Sequence, residues 1–537
     1  MLVYLRPNVV VEPLVDQWYA WSHLIPPATA ARNIAERHLR IMDSYIAAPE
    51  AHASAVRDPK LLGGPFMDYE GDRTGEIKEL RDRTRQRRSK LIELSAAIDQ
   101  LDQLLRSRAT GSTLECLYAL VPEPLRGYVE LVYDLNNHPS FRLLEPLLYK
   151  SPYYDSSIQS FMLSVISKDD RPFVLSTARL KSEKEVEIQW AFDSERVNEL
   201  FRMKTKPAEL NQIMSMAEPD PPDERLFRSF FTEQQPRPYE AYEGSGIRWR
   251  YFGHACILVE SGKQNILLDP VLSYTYQSNI SRYTYEDLPS FIDLVLITHN
   301  HQDHILFETL LQLRHRIGTI VVPRNGGGAL QDPSLKLMLR ACGFRNVIEL
   351  GEMEDLTLEN GSITAIPFLG EHGDLNVLTK AGWLVRIDDR SLLFAADSCN
   401  ISPDLYKHIH RDVGDVDVLF VGMECDGAPV SWIYGPLLTR KLERAMDQSR
   451  RLAGSNCARA MGLVDQFNCS EVYVYAMGQE PWLNHVMSLR YTPESNPIVQ
   501  SDELIRLCRG RGIVAERLFG EKEILMSSRE SKLAVQV

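Results

Sequence analysis

The chain has 537 residues, 44% of them hydrophobic and 25% charged, with a formal net charge of −13. That length exceeds one ordinary core and points to two or three domains, and the composition excludes a disordered chain. The acidic balance argues against a general nucleic-acid binder, which needs a basic surface, but leaves room for a local basic patch.

The opening residues, MLVYLRPNVVVEPLVDQW, show no basic start followed by an apolar run and a cleavage site, so no signal peptide is expected. No stretch approaches the roughly 18 apolar residues of a membrane span. The eight cysteines are scattered, without C-x-x-C or zinc-ribbon spacing, and fit reduced thiols in a cytoplasm.

In chain order, residues 1 to about 50 are expected to open irregularly and then form a helix. Pro26 and Pro27 suit its start, and Ile34, Leu39, Ile41, Met42, Tyr45 and Ile46 give it an apolar face. Residues 61–74 read as a loop. One long amphipathic helix is expected from Glu76 to about Arg108, with Leu91, Leu94, Ile98, Leu101 and Leu105 spaced three, four, three and four apart. This seam suits a dimer or, at least as well, a helical hairpin packed inside its own domain. The same helix carries Arg81, Arg83, Arg85, Arg87, Arg88 and Lys90, by default a solvated face, alternatively a docking patch for an acidic partner.

Residues 112–150 read as short helices; SFMLSVI, PFVLST and EVEIQWAF read as a small sheet, and helices follow at about 194–216. Pro219, Pro221, Pro222, Pro236 and Pro238, then Gly244-Ser245-Gly246, mark a boundary. The expectation is a mostly helical α+β domain over residues 1–240 and a second domain over 247–525.

The second domain alternates short strands and helices, and its chemistry centres on Thr298-His299-Asn300-His301-Gln302-Asp303-His304. The β-branched run from Ile292 to Ile297 before it reads as a buried strand; Leu306, Leu310 and Leu313 after it fall at helical spacing, which starts a helix near Asp303. On an extended segment His299 and His301 project to one side and can share a metal. Asp303 and His304, where the chain turns, suit a second metal. A polar loop with chance histidines is the bland alternative, which only 13 histidines in the chain make unattractive.

This H-x-H-x-D-H arrangement resembles the metallo-β-lactamase superfamily, which implies an α/β fold: a four-layered αββα sandwich with two metals at its edge. By that resemblance Asp269 braces the metal-binding turn, His254 is structural and not a ligand, and Asp397, at the end of SLLFAAD, bridges both metals. After SITAIPFLG the chain offers Glu371 beside His372, where zinc hydrolases of the superfamily place a histidine. Adjacent residues leaving a strand point oppositely, so one of the pair should reach the metal. A glutamate there makes a mixed N/O site that suits iron or manganese.

FGHACILVES, LITHNHQDHILFETLLQLRHR, FLGEHGDL, LLFAADSCNI, GMECDGAP and VYVYAMGQEPW, with the N-terminal YLRPNVVVEPLVDQWYAWSHLIPPATAARNIAERHLRIMDSY, narrow the match. Together they are similar to the diiron β-hydroxylases of nonribosomal peptide and chloramphenicol biosynthesis. The resemblance implies a non-haem diiron cluster that activates O2, fed by an external electron donor, and a monooxygenase acting in antibiotic biosynthesis. Its substrate would be an aminoacyl thioester on the phosphopantetheine arm of a synthetase carrier (thiolation) domain; a para-substituted phenylalanine is expected within the chloramphenicol pathway itself.

It further implies His299, His301, Asp303, His304, Glu371 and Asp397 as iron ligands, with Glu371 and Asp397 central to catalysis, and His372 supporting a ligand or solvent. The N-terminal domain would serve homodimerisation and partner docking. Gln479, Glu480, His485 or solvent could complete the second iron site. The competing readings are a dinuclear zinc hydrolase of the same superfamily, a thioesterase or lactonase, and a non-enzymatic synthetase partner.

Overall fold

The β-branched runs of the second half pair into two seven-stranded sheets. The structure, a computed structural model, describes residues 1–169 and 171–528. The first sheet runs in the order Val347–Leu350, Ile317–Pro323, Ile292–Leu296, Asn265–Leu268, Ile257–Ser261, Ile247–Tyr251 and Lys522–Met526. The second runs Asp355–Leu358, Gly361–Ile366, Gly382–Ile387, Arg390–Phe394, Val418–Gly422, Glu471–Tyr475 and Val514–Arg517.

The two inner faces interdigitate around Trp249, Trp383, Phe394 and Phe420, all fully buried, with aromatic rings such as Phe394 and Phe420 stacked. Helices Pro403–Val413, Cys457–Phe467 and Asn496–Gly510 cover the outer face of the second sheet. This is the expected αββα sandwich. Two of the strands that lead to the candidate site, Ile292–Leu296 and Arg390–Phe394, pair in parallel with a neighbour. The third, Gly361–Ile366, is antiparallel to both of its neighbours and runs in the same direction as Arg390–Phe394. Their C-terminal ends open along a common edge, where α/β sheets place their sites.

The outer face of the first sheet shares one continuous core with the N-terminal half: Val9, Trp21, Met42, Leu94, Ile98, Leu101 and Phe201 belong to the same apolar cluster as Leu267, Val295 and Leu310. The N-terminal half is therefore a thick layer packed on the sandwich, not an appendage.

Several expectations for that half are corrected. The opening residues are strands, Leu2–Leu5 and Val9–Val15, the latter paired with Gln159–Val165. The helix beginning at Pro27 runs through a π segment, Ile34–His38, before continuing over Leu39–Ala47. The long helix is two, Thr74–Arg87 and Ser89–Arg108, broken at Arg88, whose guanidinium is buried between Asp16 (3.4 Å) and Asp155 (3.1 Å). That pairing outweighs continued helix and removes Arg88 from any docking patch; Arg81 and Arg85 are likewise engaged by Asp43.

The leucine seam is buried inside the chain, Leu94, Ile98 and Leu101 completely, so it is not an open dimer face. Val129–Tyr133 and Pro139–Leu143 form a hairpin where short helices were expected, the V-x-L-x-Y alternation winning over helical spacing. Residues 172–177 are not a strand.

Candidate metal centre

Three chain segments deliver side chains to the sandwich edge. His299, His301, Asp303 and His304 follow the strand Ile292–Leu296, Glu371 follows Gly361–Ile366, and Asp397 follows Arg390–Phe394. All of these residues are buried, and they form overlapping groups: His299, His301 and Glu371; His299, His304 and Asp397; and His254, Asp303 and His304. The helix after the motif begins at Phe307, later than expected, because residues 301–305 close a turn in which His304 and Ile305 donate their N–H groups to the His301 carbonyl.

Hydrogen bonds assign the tautomers. Asp269 accepts from the Thr298 N–H at 2.7 Å and the Thr298 hydroxyl at 2.6 Å, and holds His304 Nδ1 at 2.8 Å. Asp269 therefore holds the Nδ1 proton of His304, and Nε2 faces Asp397 Oδ2 at 3.1 Å and Asp303 Oδ2 at 3.6 Å, where a metal ion would take the place of the second proton that these carboxylates favour. His299 Nδ1 lies 3.0 Å from the Thr298 hydroxyl oxygen, leaving Nε2 bare, buried and without a partner among the described residues. His301 keeps Nε2 3.1 Å from the Tyr434 hydroxyl and turns Nδ1 to Glu371 Oε1 at 2.6 Å. Asp269 thus braces the turn, and acts as the outer partner that fixes a ligand's orientation.

Glu371 sits in the left-handed region (φ 65°), between Gly370 and its neighbour His372. The strand's alternation has already ended there, so the expectation that the two side chains diverge is corrected: Glu371 and His372 lie 3.2 Å apart, and the His372 ring stacks on His301 at 4.6 Å. Burial pushes the Glu371 carboxyl up to about 7, against the lowering pull of His301. Burial also drives His299 well below the usual imidazole range. For His304 burial is outweighed by Asp397, Asp303 and Asp269, which raise it well above that range.

These groups fit a metal pair. Imidazole nitrogens and carboxylate oxygens converge, and His299 Nε2, Glu371 Oε2 and Asp397 Oδ1 are all buried without a hydrogen-bond partner among the described residues. Buried lone pairs left so are costly unless a cation takes them up. Three carboxylates among six donors favour iron or manganese over zinc. Gly422 makes the room: a Cβ there would collide with Asp397 Oδ1.

His254 is not in a strand but in the turn between Ile247–Tyr251 and Ile257–Ser261, at φ 53°. Gly478 donates its N–H to His254 Nδ1 at 3.2 Å, so Nε2 carries the proton and points at Asp303 Oδ2 at 3.0 Å. Gln479, Glu480 and His485 belong to none of the three groups. Glu480 is engaged by the Tyr251 hydroxyl, and His485 lies 4.0 Å from Glu308.

The N-terminal half reaches into the centre, which the motif gave no means to see. The Ser22 hydroxyl donates to the Asn300 carbonyl, and the fully buried His23 packs edge-on against Tyr434, ring centroids 5.7 Å apart. A polar Ser-His pair inside the apolar stretch WYAWSHLI was the only trace of this in the sequence.

Residues 4–236 match the family model for the N-terminal domain of diiron non-haem β-hydroxylases, and residues 264–434 match a β-lactamase superfamily domain. A 4-amino-L-phenylalanyl-[CmlP-peptidyl-carrier-protein] 3-hydroxylase of Streptomyces venezuelae is 41% identical over 523 residues, which cover 96% of this chain and 98% of that protein. The chain belongs to the diiron β-hydroxylase family.

The crystal structure of CmlA, a diiron β-hydroxylase from S. venezuelae, matches at a TM-score of 0.92 and 41% identity, over 98% of this chain and 100% of that one. By contrast, a UPF0173 metal-dependent hydrolase of Rhizobium etli is 30% identical over 183 residues, 32% of this chain and 72% of its own length. The chain is a diiron β-hydroxylase, an O2-dependent oxygenase with a dinuclear non-haem iron site. No described helix is long and apolar enough to cross a membrane.

Proposed function

We propose that this β-hydroxylase acts on the β-carbon of an aminoacyl thioester carried by the phosphopantetheine arm of a nonribosomal peptide synthetase carrier domain, in antibiotic biosynthesis. One iron would be held by His299, His301 and Glu371, the other by Asp303 and His304, with Asp397 bridging. The single observation that carries the ligand assignment is the placing of Glu371, 2.6 Å from His301 Nδ1 and 3.6 Å from His299 Nε2. It supplies a carboxylate where zinc hydrolases of this fold supply an imidazole.

Bound iron supplies the O2 reduction and C–H oxidation that no side chain can perform. The chain's residues do the rest. Asp269 holds His304 in one tautomer, Thr298 does the same for His299, and Tyr434 fixes the ring of His301. His254, protonated at Nε2, donates to Asp303 and restrains that carboxylate without ligating. His372 stacks on His301 and limits its rotation. Ser22 and His23 close the N-terminal side against water.

The wider reading adds a homodimer, an external electron donor and a cytoplasmic site of action, the last supported by eight free cysteines. Residues 1–240 would serve dimerisation and docking, and 247–525 catalysis. The zinc thioesterase or lactonase alternative is disfavoured by the carboxylate-rich donor set.

Metal analysis with optical spectroscopy tests the proposal. About two irons per chain are expected, with a near-ultraviolet ferric absorption that bleaches on reduction and returns with O2, and a gain of one oxygen atom in mass on a carrier-bound amino acid. Zinc retained after iron-replete expression, with thioester cleavage, would overturn it.

A further inference from the structure

A cavity of about 590 Å³ lies between the N-terminal half and the sandwich, within the size range of sites that enclose a small organic ligand. Gln302 lines it, and Gln302 is the residue between His301 and Asp303. Ser431, Trp432 and Ile433 line it too, directly before Tyr434, whose hydroxyl contacts His301. The cavity is therefore continuous with the loop that carries the candidate ligands.

Its walls are unlike in character. Phe66, Phe173, Leu175, Met487 and Leu489 make an apolar bore, while Arg37, Arg40 and Lys441 bring three cations against one carboxylate, Glu36. Glu36 is already paired with Arg40. Arg37 sits in the π segment Ile34–His38, a kind of local irregularity that recurs at functional sites, and it donates to the carbonyls of Trp432 and Ile433. No carboxylate pairs with Arg37 or with the exposed Lys441 among the described residues. Burial without an anion lowers the Arg37 guanidinium to about 10, which marks a cation short of a counter-charge.

We infer that this cavity takes the aminoacyl-phosphopantetheine arm, with the apolar bore around the pantetheine chain, Arg37 donating to its carbonyl oxygens, and Arg40 with Lys441 at the open end taking the phosphodiester. The ligand chemistry is specific: a long, thin, mostly apolar chain bearing carbonyl acceptors and ending in one anion. The inference rests on the carrier-bound substrate proposed above. It places the carrier domain itself over Arg40 and Lys441.

The test uses two probes with full-length, iron-loaded protein under anaerobic conditions: the amide analogues of phenylalanyl-phosphopantetheine and of phenylalanyl-pantetheine, titrated calorimetrically. The phosphorylated probe is expected to bind about tenfold tighter, the worth of one charge-assisted contact. R40E/K441E should erase that difference while leaving the unphosphorylated probe unchanged. Leu489→Trp, which fills the bore, should weaken both probes about tenfold or more with iron content unaltered.

Equal affinity of the two probes, an unchanged ratio in R40E/K441E, or unchanged binding to Leu489→Trp overturns the assignment. Hydroxylation of a carrier-loaded amino acid is scored separately. Turnover without probe binding sinks the cavity assignment alone; probe binding without turnover sinks the proposed reaction and leaves the cavity its ligand.

Discussion

The Ser22 hydroxyl donates a 2.5 Å hydrogen bond to the carbonyl oxygen of Asn300, a residue 278 positions later in the chain and flanked by two candidate iron ligands. Both groups are fully buried, so the N-terminal half sets the path of the ligand loop directly and does not merely cover it.

Replacing Ser22 by Ala strands that carbonyl without a donor. A buried acceptor left unpaired costs about 1–3 kcal/mol. Ser22→Ala should therefore lower the unfolding midpoint and, because the lost contact falls between His299 and His301, speed iron loss to a chelator. Thr at the same position should restore retention. Chelation kinetics unchanged in Ser22→Ala would show that the loop keeps its path without this contact.

The heptapeptide 298–304 was legible because a β-branched run fixes the strand before it, and period-two projection then places His299 and His301 together. Glu371 and His372 were not separable by that logic. Positive φ at Gly370, Glu371 and Gly373 takes the chain out of the extended state, and alternation carries no information there. The break at Arg88 was hidden for another reason: it is fixed by Asp16 and Asp155, partners far off in sequence. Ser22, His23 and Tyr434 were invisible because their meaning lies in contacts between halves of the chain, while Gly422 has no side chain to announce that it makes room for Asp397.

Glu145 ties the N-terminal half to the sandwich by accepting from the Ser334 N–H and the Asn325 side-chain amide. Burial raises its carboxyl to about 7 from an ordinary value near 4.5. A group raised on folding contributes stability that is full below about 4.5 and lost as pH climbs to about 7. Stability should therefore fall across that window, and Glu145→Gln, which keeps the shape without the charge, should flatten the decline and gain about 1–3 kcal/mol at pH 8. Denaturant midpoints measured from pH 5 to 8 decide it; parallel curves for the two proteins would refute it.

Asp269 holds the Nδ1 proton of His304 at 2.8 Å and both donors of Thr298. Asp269→Asn can still accept from Thr298 but no longer commits His304 to one tautomer. Outer partners of this kind are worth about 10–100-fold in metal affinity. The variant should keep the His299, His301 and Glu371 iron and lose much of the other, giving metal contents that drop toward one per chain as chelator is raised. Two irons held with wild-type affinity would mean that Asp303 and Asp397 alone orient His304.

Glu371 carries the distinction between an oxygenase and a hydrolase on this scaffold. Glu371→His would give the first site three imidazoles and remove a hard oxygen donor, a change that favours zinc over iron. The imidazole must also stand where Glu371 now lies, in the left-handed turn 3.2 Å from His372, so some loss of total metal is expected as well. With iron and zinc supplied together, the variant should take up a larger zinc fraction and lose hydroxylation of the carrier-bound amino acid. The iron that remains should show an altered ferric absorption, since a ligand has changed. If the variant loads two irons normally and hydroxylates at the wild-type rate, Glu371 is not a ligand, and the first site must be rebuilt around His299, His301 and the neighbouring His372.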